Sequence, residues 1–231
     1  MQNHVNIYDM SGEPTINKNK RLAIRIALCV IGIVICGVAV GFFRFAAFGV
    51  DPFTTSVCGF DLLIPISYGT VYVIENAVLL LFALIFDRHY IGLGTIINLF
   101  LVGYIADYIQ MALSGILPSN IAVRIICLVL GVLLLSFSAA LYMPADMGVS
   151  TYDAVALIIA ETWHIGKFKT DRVITDLVCV ALGTVLYILS GNPLREITTI
   201  VGIGTIITAF FMGPLISFFS TNITKKYLLK D

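Results

Sequence analysis

An all-α, polytopic membrane bundle of six transmembrane helices is the fold class this sequence predicts, and three observations predict it. The chain of 231 residues is 59% hydrophobic and 12% charged, with a mean hydropathy of +0.99, where soluble domains average about half apolar and a quarter charged. Six apolar stretches reach the roughly 20 residues that a helix needs to cross the hydrocarbon core. Blocks of similar sequence recur in the same order in both halves, so the spans divide into two repeats of three. Because three is odd, the second repeat must enter the membrane upside down, giving two inverted three-helix repeats.

The elements follow in order. Residues 1–20 are polar and aperiodic and read as a disordered cytoplasmic tail. The apolar run behind them is too long for a signal-peptide core and lacks a cleavage site, so it stays as a helix. The spans run over Leu22–Phe43, Tyr68–Phe86, Ile91–Leu113, Ile121–Met143, Val173–Leu189 and Ile197–Phe219. Segments 50–63 and 150–163 are too short to cross and fall in the length range of re-entrant or interfacial helices. Residues 21–115 form membrane repeat 1, 116–220 membrane repeat 2, and 221–231 a short basic cytoplasmic tail.

Three pairs of blocks carry the repeat. RIALCVIG (25–32) answers RIICLVLG (124–131), FGVDPF (48–53) answers MGVSTY (147–152), and IGLGTIINLFLVG (91–103) answers VGIGTIITAFFMG (201–213). The GxGT starts lack both the preceding strand and the lysine of a phosphate loop. A packing role is expected instead. Gly92 and Gly103 lie about three turns apart on one helix face, Gly202 and Gly213 repeat the spacing, and small residues let helix backbones approach in lipid. These two helices are expected to cross near the axis relating the repeats.

Orientation follows from Lys and Arg, which favour the cytoplasmic side. With the N-terminus inside and six crossings, all of the 14 except Arg44, Arg124 and Arg195 fall at cytoplasmic ends. If the two short segments also crossed, Lys167, Lys169 and Arg172 would move outside, so the charge pattern favours six spans with both termini cytoplasmic.

Lys plus Arg equals Asp plus Glu, which gives no reason to expect nucleic acid or an acidic partner. The five cysteines, Cys29, Cys36, Cys58, Cys127 and Cys179, have no metal or redox spacing and read as small packing residues. His4, His89 and His164 are far apart. No metal or other cofactor is expected.

The two G-V-x-x-aromatic segments resemble those of the YczE/YyaS/YitT family of bacterial integral membrane proteins, whose pattern is roughly A-D-x-G-V-S-P-W/F-D. The second copy, Ala145 to Asp153, keeps both acids but has Thr151 in place of proline; the first, Ala46 to Thr54, keeps Pro52 and has Ala47 and Thr54 in place of the acids. The resemblance covers about residues 21–220. It implies a multi-pass protein of the bacterial plasma membrane and, as commonly supposed for the family, a transport role. The chain ends soon after its last span, closer to the YczE branch than to YitT-like members with a soluble C-terminal domain.

The short segments begin as helices should. Asp51 is a good N-cap with Pro52 behind it, and Ser150 can cap with Asp153 at capping-box spacing. Their N-termini, with unpaired N–H groups, either face each other across a central cavity, where broken helices of transporters build their sites, or belong to amphipathic helices lying flat at the two surfaces. In 150–163, Tyr152, Val155, Ile159 and Trp163 share one face, which predicts a helix covering a surface on one side only.

Ionisable groups inside spans each cost on the order of 2.5–3.5 kcal/mol near the bilayer centre on insertion scales, so each needs an account. Glu75 is followed by Asn76, with Tyr72 and Tyr68 about one and two turns before it; it is read either as a coupling carboxylate or as a structural hydrogen-bonding group. Asp176 lies one turn after Arg172, with which it can pair at the interface. Arg44 can neutralise Asp51 or Asp146, recognise an anion, or snorkel to the interface. Thr54 stands at the position equivalent to Asp153 and completes the candidate set of substrate- or ion-binding residues. Asp107 lies near an outer helix end, and Thr95 and Asn98 suit helix–helix hydrogen bonds.

The reading that follows is a secondary transporter of a small solute, not yet identified by class, with its site at the repeat interface. The alternative is a non-catalytic membrane subunit or regulator working with a separate partner. No catalytic constellation is visible, so an enzyme is not expected. Beside lipid and solute, the partners expected are a second copy of the chain or another membrane protein.

Overall fold

A computed structural model describes residues 22–166 and 168–228. The polar tail 1–20, Arg21, Lys167 and Lys230 lie outside the described residues. The architecture among the described residues is all-helical: α1 Leu22–Ala46, α2 Pro52–Asp61, α3 Tyr68–Phe86, α4 Leu93–Ile116, α5 Ile121–Tyr142, α6 Thr151–Leu157, α7 Phe168–Leu189 and α8 Ile203–Phe219. Six helices are long and apolar enough to cross a membrane, and α2 and α6 are the short segments between them.

The centre is the pair α1 and α5. Half of the most apolar window of α1 and 61% of that of α5 are buried, against 17–28% for the other four spans. Outward residues such as Leu81, Ile85, Met111, Leu177 and Phe210 are large, apolar and exposed, as a lipid-facing surface requires. Contact at the centre is close because Gly32 and Gly131, the glycines closing the first matched blocks, face the partner helix. A Cβ on Gly32 would stand 2.9 Å from Tyr142 Cβ, and the Ser138 hydroxyl donates to Gly32 O at 2.8 Å.

This corrects the expected role of the GxGT helices. α4 packs on α1 and α3, and α8 on α5; α4 and α8 do not form a central crossing. Gly103 does serve helix packing, against the Tyr72 ring of α3, but a Cβ on Gly213 would have nothing within 4 Å among the described residues. Gly92 and Gly202 instead stand before their helices, where each meets the loop of the other half. The regular α-helix of the last span therefore starts at Ile203, after a tight 3-10 segment Leu194–Thr199 that belongs to the same apolar span. α7 in turn begins five residues ahead of Val173, because polar residues that lower its local hydropathy still suit a first helical turn that contains Asp171.

The joints between halves are reciprocal. Gly94 N–H donates to Met147 O at 2.7 Å and Gly204 N–H to Phe48 O at 2.8 Å; Val149 N–H donates to Tyr90 O at 3.1 Å and Val50 N–H to Ile200 O at 3.2 Å. Gly49 and Gly148, at φ 93° and 99°, adopt a left-handed conformation open to glycine, and a side chain on either would overlap Gly202 or Gly92. Two arginines lock the loops. Arg25 Nε donates to Ala145 O and Arg124 Nε to Ala46 O, both at 2.7 Å; their Nη2 atoms donate to Asp146 O at 2.6 Å and Ala47 O at 2.7 Å. Each arginine near the start of α1 or α5 thus satisfies carbonyls past the end of the other, so the two helices run antiparallel.

Both short helices lie in the interior. Every residue of α2 from Pro52 to Gly59 is buried, and so are six of the seven in α6. Burial on all sides replaces the one-faced helix expected for 150–163: Val155 and Ile159 are only partly buried and Trp163 is 40% exposed. The helix widens after Leu157 into π-type turns over Ile158–Thr162, which ends the regular periodicity on which that expectation rested.

Candidate functional site

α2 and α6 start at the centre of the molecule, each capped by its own side chain. Asp51 Oδ1 accepts from Thr54 N–H at 3.1 Å. Ser150 Oγ accepts from Asp153 N–H at 3.1 Å and donates to Asp153 Oδ2 at 2.6 Å. One residue into each helix stand Phe53 and Tyr152, equivalent positions of the two repeats, whose rings stack with centroids 5.0 Å apart. The matched segments therefore meet at their corresponding aromatic positions. Tyr72 closes on Phe53 edge-on at 5.7 Å.

Around this stack lies a cavity of about 90 Å³. Of the predicted residues, the structure brings Asp51, Thr54, Tyr72, Asn76, Ser150 and Asp153 together on its walls. A hydrogen-bonded chain orders one wall: the Thr151 hydroxyl donates to Asn76 Oδ1 at 2.5 Å, Asn76 Nδ2 to Tyr72 O at 2.8 Å, and Tyr72 OH to Asn98 Oδ1 at 3.1 Å. The opposite wall is held by Arg172. Its guanidinium pairs with Asp153, reaches Asp176 Oδ1 at 3.3 Å, and lies 4.4 Å over the Tyr152 ring, while Tyr152 OH donates to Asp176 Oδ1 at 2.5 Å. Asp176 thus acts through Arg172 and Tyr152 and does not itself line the cavity.

Three predicted residues stand elsewhere. Glu75 is on α3 beside Asn76 but turned to α2, where Oε1 accepts from the Ser56 hydroxyl and Oε2 is buried with no hydrogen-bond partner among the described residues. Asp146 sits in the left-handed joint after α5 and receives Arg25 Nη2 at 3.1 Å, a structural pairing. Arg44 meets neither Asp51 nor Asp146; it bonds Asp107 at 3.1 Å and Asp61 at 3.5 Å and covers the Tyr68 ring at 3.7 Å. The reason is position, since Arg44 ends α1 on the face where α2 finishes rather than where it starts.

Arg44 and Asp61 belong to a second, more open space of about 230 Å³, also lined by Val50, Cys58, Tyr187, Glu196 and Ile200. Val50 faces this vestibule and its neighbour Asp51 faces the central cavity, so one stretch of backbone separates the two. At the other end, the residues equivalent to Val50, Cys58 and Ile200 are Val149, Leu157 and Tyr90, and these form a buried apolar plug with Ala83, Ala154 and Ile158. Phe82, Phe86 and Trp163 cover it, with centroids 4.6–5.7 Å apart. Where the vestibule has Arg44 and Asp61, the plug end has Met143 and Ala160.

Sequence reasoning reached Arg172 only as the partner of Asp176. The cavity residues Cys36, Ser138, Tyr142 and Met212 carry no local signal, since separate helices contribute them. The clamping arginines had one: both open the first matched block.

Fold and site together define a multi-pass membrane protein with a small central cavity whose largely apolar walls carry a few polar and charged side chains. Residues 23–221 match the family described as a family of unknown function, DUF6198, and the chain belongs to it. It is 26% identical to the uncharacterised membrane protein YczE of Bacillus subtilis over 66% of this chain and 65% of YczE, and 24% identical to the uncharacterised protein YyaS of the same organism over 87% of this chain and 94% of YyaS. An uncharacterised protein of Haemophilus influenzae is 25% identical over 84% of this chain and 82% of its own length. The YczE/YyaS resemblance carried by the two G-V-x-x-aromatic segments therefore stands. No solved structure matches the chain.

Proposed function

We propose that the protein is a secondary transporter of a small polar solute, built from two inverted three-helix repeats, with its site in the cavity between α2 and α6. The observation that carries this reading is the arrangement of spaces: a vestibule at one end, a smaller cavity with polar groups on largely apolar walls separated from it by the Val50–Asp51 backbone, and an apolar plug at the equivalent place beyond. A carrier working by alternating access needs one site with one end open and the other shut. In this reading the plug end, where Arg88 follows α3, is the cytoplasmic side of a bacterial plasma membrane, as the sequence distribution of Lys and Arg suggests. No catalytic chemistry is assigned. Glu75 is the candidate coupling carboxylate, close to the site without lining it.

The test is the purified full chain in liposomes. Solute uptake with no other protein present supports the reading, and Glu75→Gln is expected to leave uptake in place while abolishing its dependence on a proton gradient. A stable co-purifying protein with no flux from the chain alone would instead make it a membrane subunit.

A further inference from the structure

The charges around the central cavity do not balance within the chain. Arg172 is shared between Asp153 and Asp176. Asp51 has no cation within ion-pair distance among the described residues, and Arg172 acts on it only at longer range: Oδ1 holds the Thr54 N–H, and Oδ2 is buried without a hydrogen-bond partner among the described residues, on the cavity wall. A buried carboxylate oxygen with nothing to receive is costly, and a cationic or hydrogen-bond-donating ligand removes that cost. The helix N-termini do not offer an anion site, because each is already capped by the protein's own oxygens, Asp51 on α2 and Ser150 on α6, and Asp153 adds its charge beside the second. An anion entering the cavity would meet Asp51 and Asp153 in place of free N–H groups, and the Arg172 guanidinium there is already paired with Asp153 and Asp176.

The other walls fit the same sign. Phe53, Tyr72 and Tyr152 line the cavity beside Asp51; Tyr152 stacks on Phe53 and is covered by Arg172, and the remaining aromatic surface can attract a cation, most strongly away from water. A metal ion is the poorer match, since no group of three or more His, Cys, Asp or Glu capable of holding one is found among the described residues, and hard cations take six or more oxygens. The volume of about 90 Å³ suits a solute of a few heavy atoms.

We propose that the central cavity binds a small organic ammonium, with Asp51 as its counter-ion and the Phe53–Tyr72–Tyr152 surface as its wall. The proposal rests on the transport reading only for the choice of cavity, and its test reads binding without flux. Radiolabelled methylammonium is equilibrated with the purified full chain in detergent, with unlabelled methylammonium, acetate and methylurea as competitors. Saturable binding displaced by unlabelled methylammonium but not by acetate or methylurea is expected. Asp51→Asn keeps an N-cap oxygen for Thr54 N–H while removing the charge, so it is expected to fold with an unchanged melting temperature and to lose affinity by about ten- to a hundredfold, as loss of a charged hydrogen bond implies. Asp51→Glu, which restores the charge, recovers part of the binding.

Undiminished binding to Asp51→Asn, displacement by acetate, or no saturable methylammonium binding to a folded wild-type chain would each overturn the proposal. The two readings fail separately. Methylammonium binding without flux of any solute leaves the cation site standing and removes the transporter; flux of an anion or neutral solute indifferent to Asp51→Asn does the reverse.

Discussion

At one end of the molecule Val50, Cys58 and Ile200 wall a vestibule of about 230 Å³; at the other, their counterparts Val149, Leu157 and Tyr90 close on Ala83, Ala154 and Ile158. The backbone frame is the same at both ends, with paired hydrogen bonds of 3.2 and 3.1 Å and of 2.8 and 2.7 Å. The difference therefore lies in side chains. Leu157 and Tyr90 are bulkier than Cys58 and Ile200, and Met143 and Ala160 remove the charges of Arg44 and Asp61. Arg44 and Asp61 line the larger space at one end, while at the other apolar side chains pack on one another, at about 25 cal/mol per Å² removed from water. One frame carries two linings, a space beside charged residues and an apolar cluster.

The largest expected effect tests the shared frame. Gly49→Val and Gly148→Val each force a side chain into left-handed backbone and onto the main chain of Gly202 or Gly92. The backbone strain alone costs about 1–3 kcal/mol, so both variants should fail to give monodisperse protein in detergent. Normal recovery of one but not the other would show that the two joints are unequal.

Next comes the charge at each end of α2 and α6. Arg172→Met strands Asp153 and Asp176, and with the Arg172 side chain 24% exposed the loss should be about 1–3 kcal/mol, below the 3–5 of a fully buried broken pair. Arg44→Met strands Asp61 and Asp107, which are 24% and 26% exposed beside the vestibule, so about 1 kcal/mol is expected. Thermal unfolding in detergent gives the order, and a larger drop for Arg44→Met would contradict the open and shut assignments.

Thiol labelling reads the two ends directly. In a chain freed of its five cysteines, Asp61→Cys beside the vestibule should react with a water-soluble thiol reagent about tenfold or more faster than Ala160→Cys at the equivalent place, because Asp61 is 24% and Ala160 7% exposed and access controls the rate. Equal rates would end the comparison. The smallest effect belongs to Trp163→Ala, which removes edge contacts to Phe82 and Phe86 worth about 0.5–1.5 kcal/mol each beyond area burial. It should raise the labelling rate at position 160 with a shift in melting temperature smaller than that of Arg172→Met.

Much of this was legible in the chain. The spans and the caps at Asp51 and Ser150 follow from local hydropathy and short-range spacing, and the structure contains both. The repeated blocks meet in it as reciprocal pairs of hydrogen bonds. Which helices meet was not legible: GxGT and RIALCVIG both end or begin in glycine, and only packing shows that Gly32 and Gly131 lie at the centre while Gly213 touches nothing among the described residues. The cavity was half legible. Residues at the starts of α2 and α6 could be singled out because helix starts have a chemical signature, whereas Asn98, Tyr142 and Ser138 reach it from α4 and α5 by tertiary contact alone. Pairing of Arg172 with Asp176 shows in an i,i+4 spacing; pairing with Asp153 spans a loop and does not.

The arginine clamps bear on how the chain is made. While only the first half has left the ribosome, Arg25 has no Ala145 or Asp146 carbonyl to hold, and the carbonyls of Ala46 and Ala47 await Arg124. The early half is thus provisional, finished only when the later half inserts beside it. With both sides of each clamp on one chain, each arginine and the carbonyls it holds come together in the same molecule.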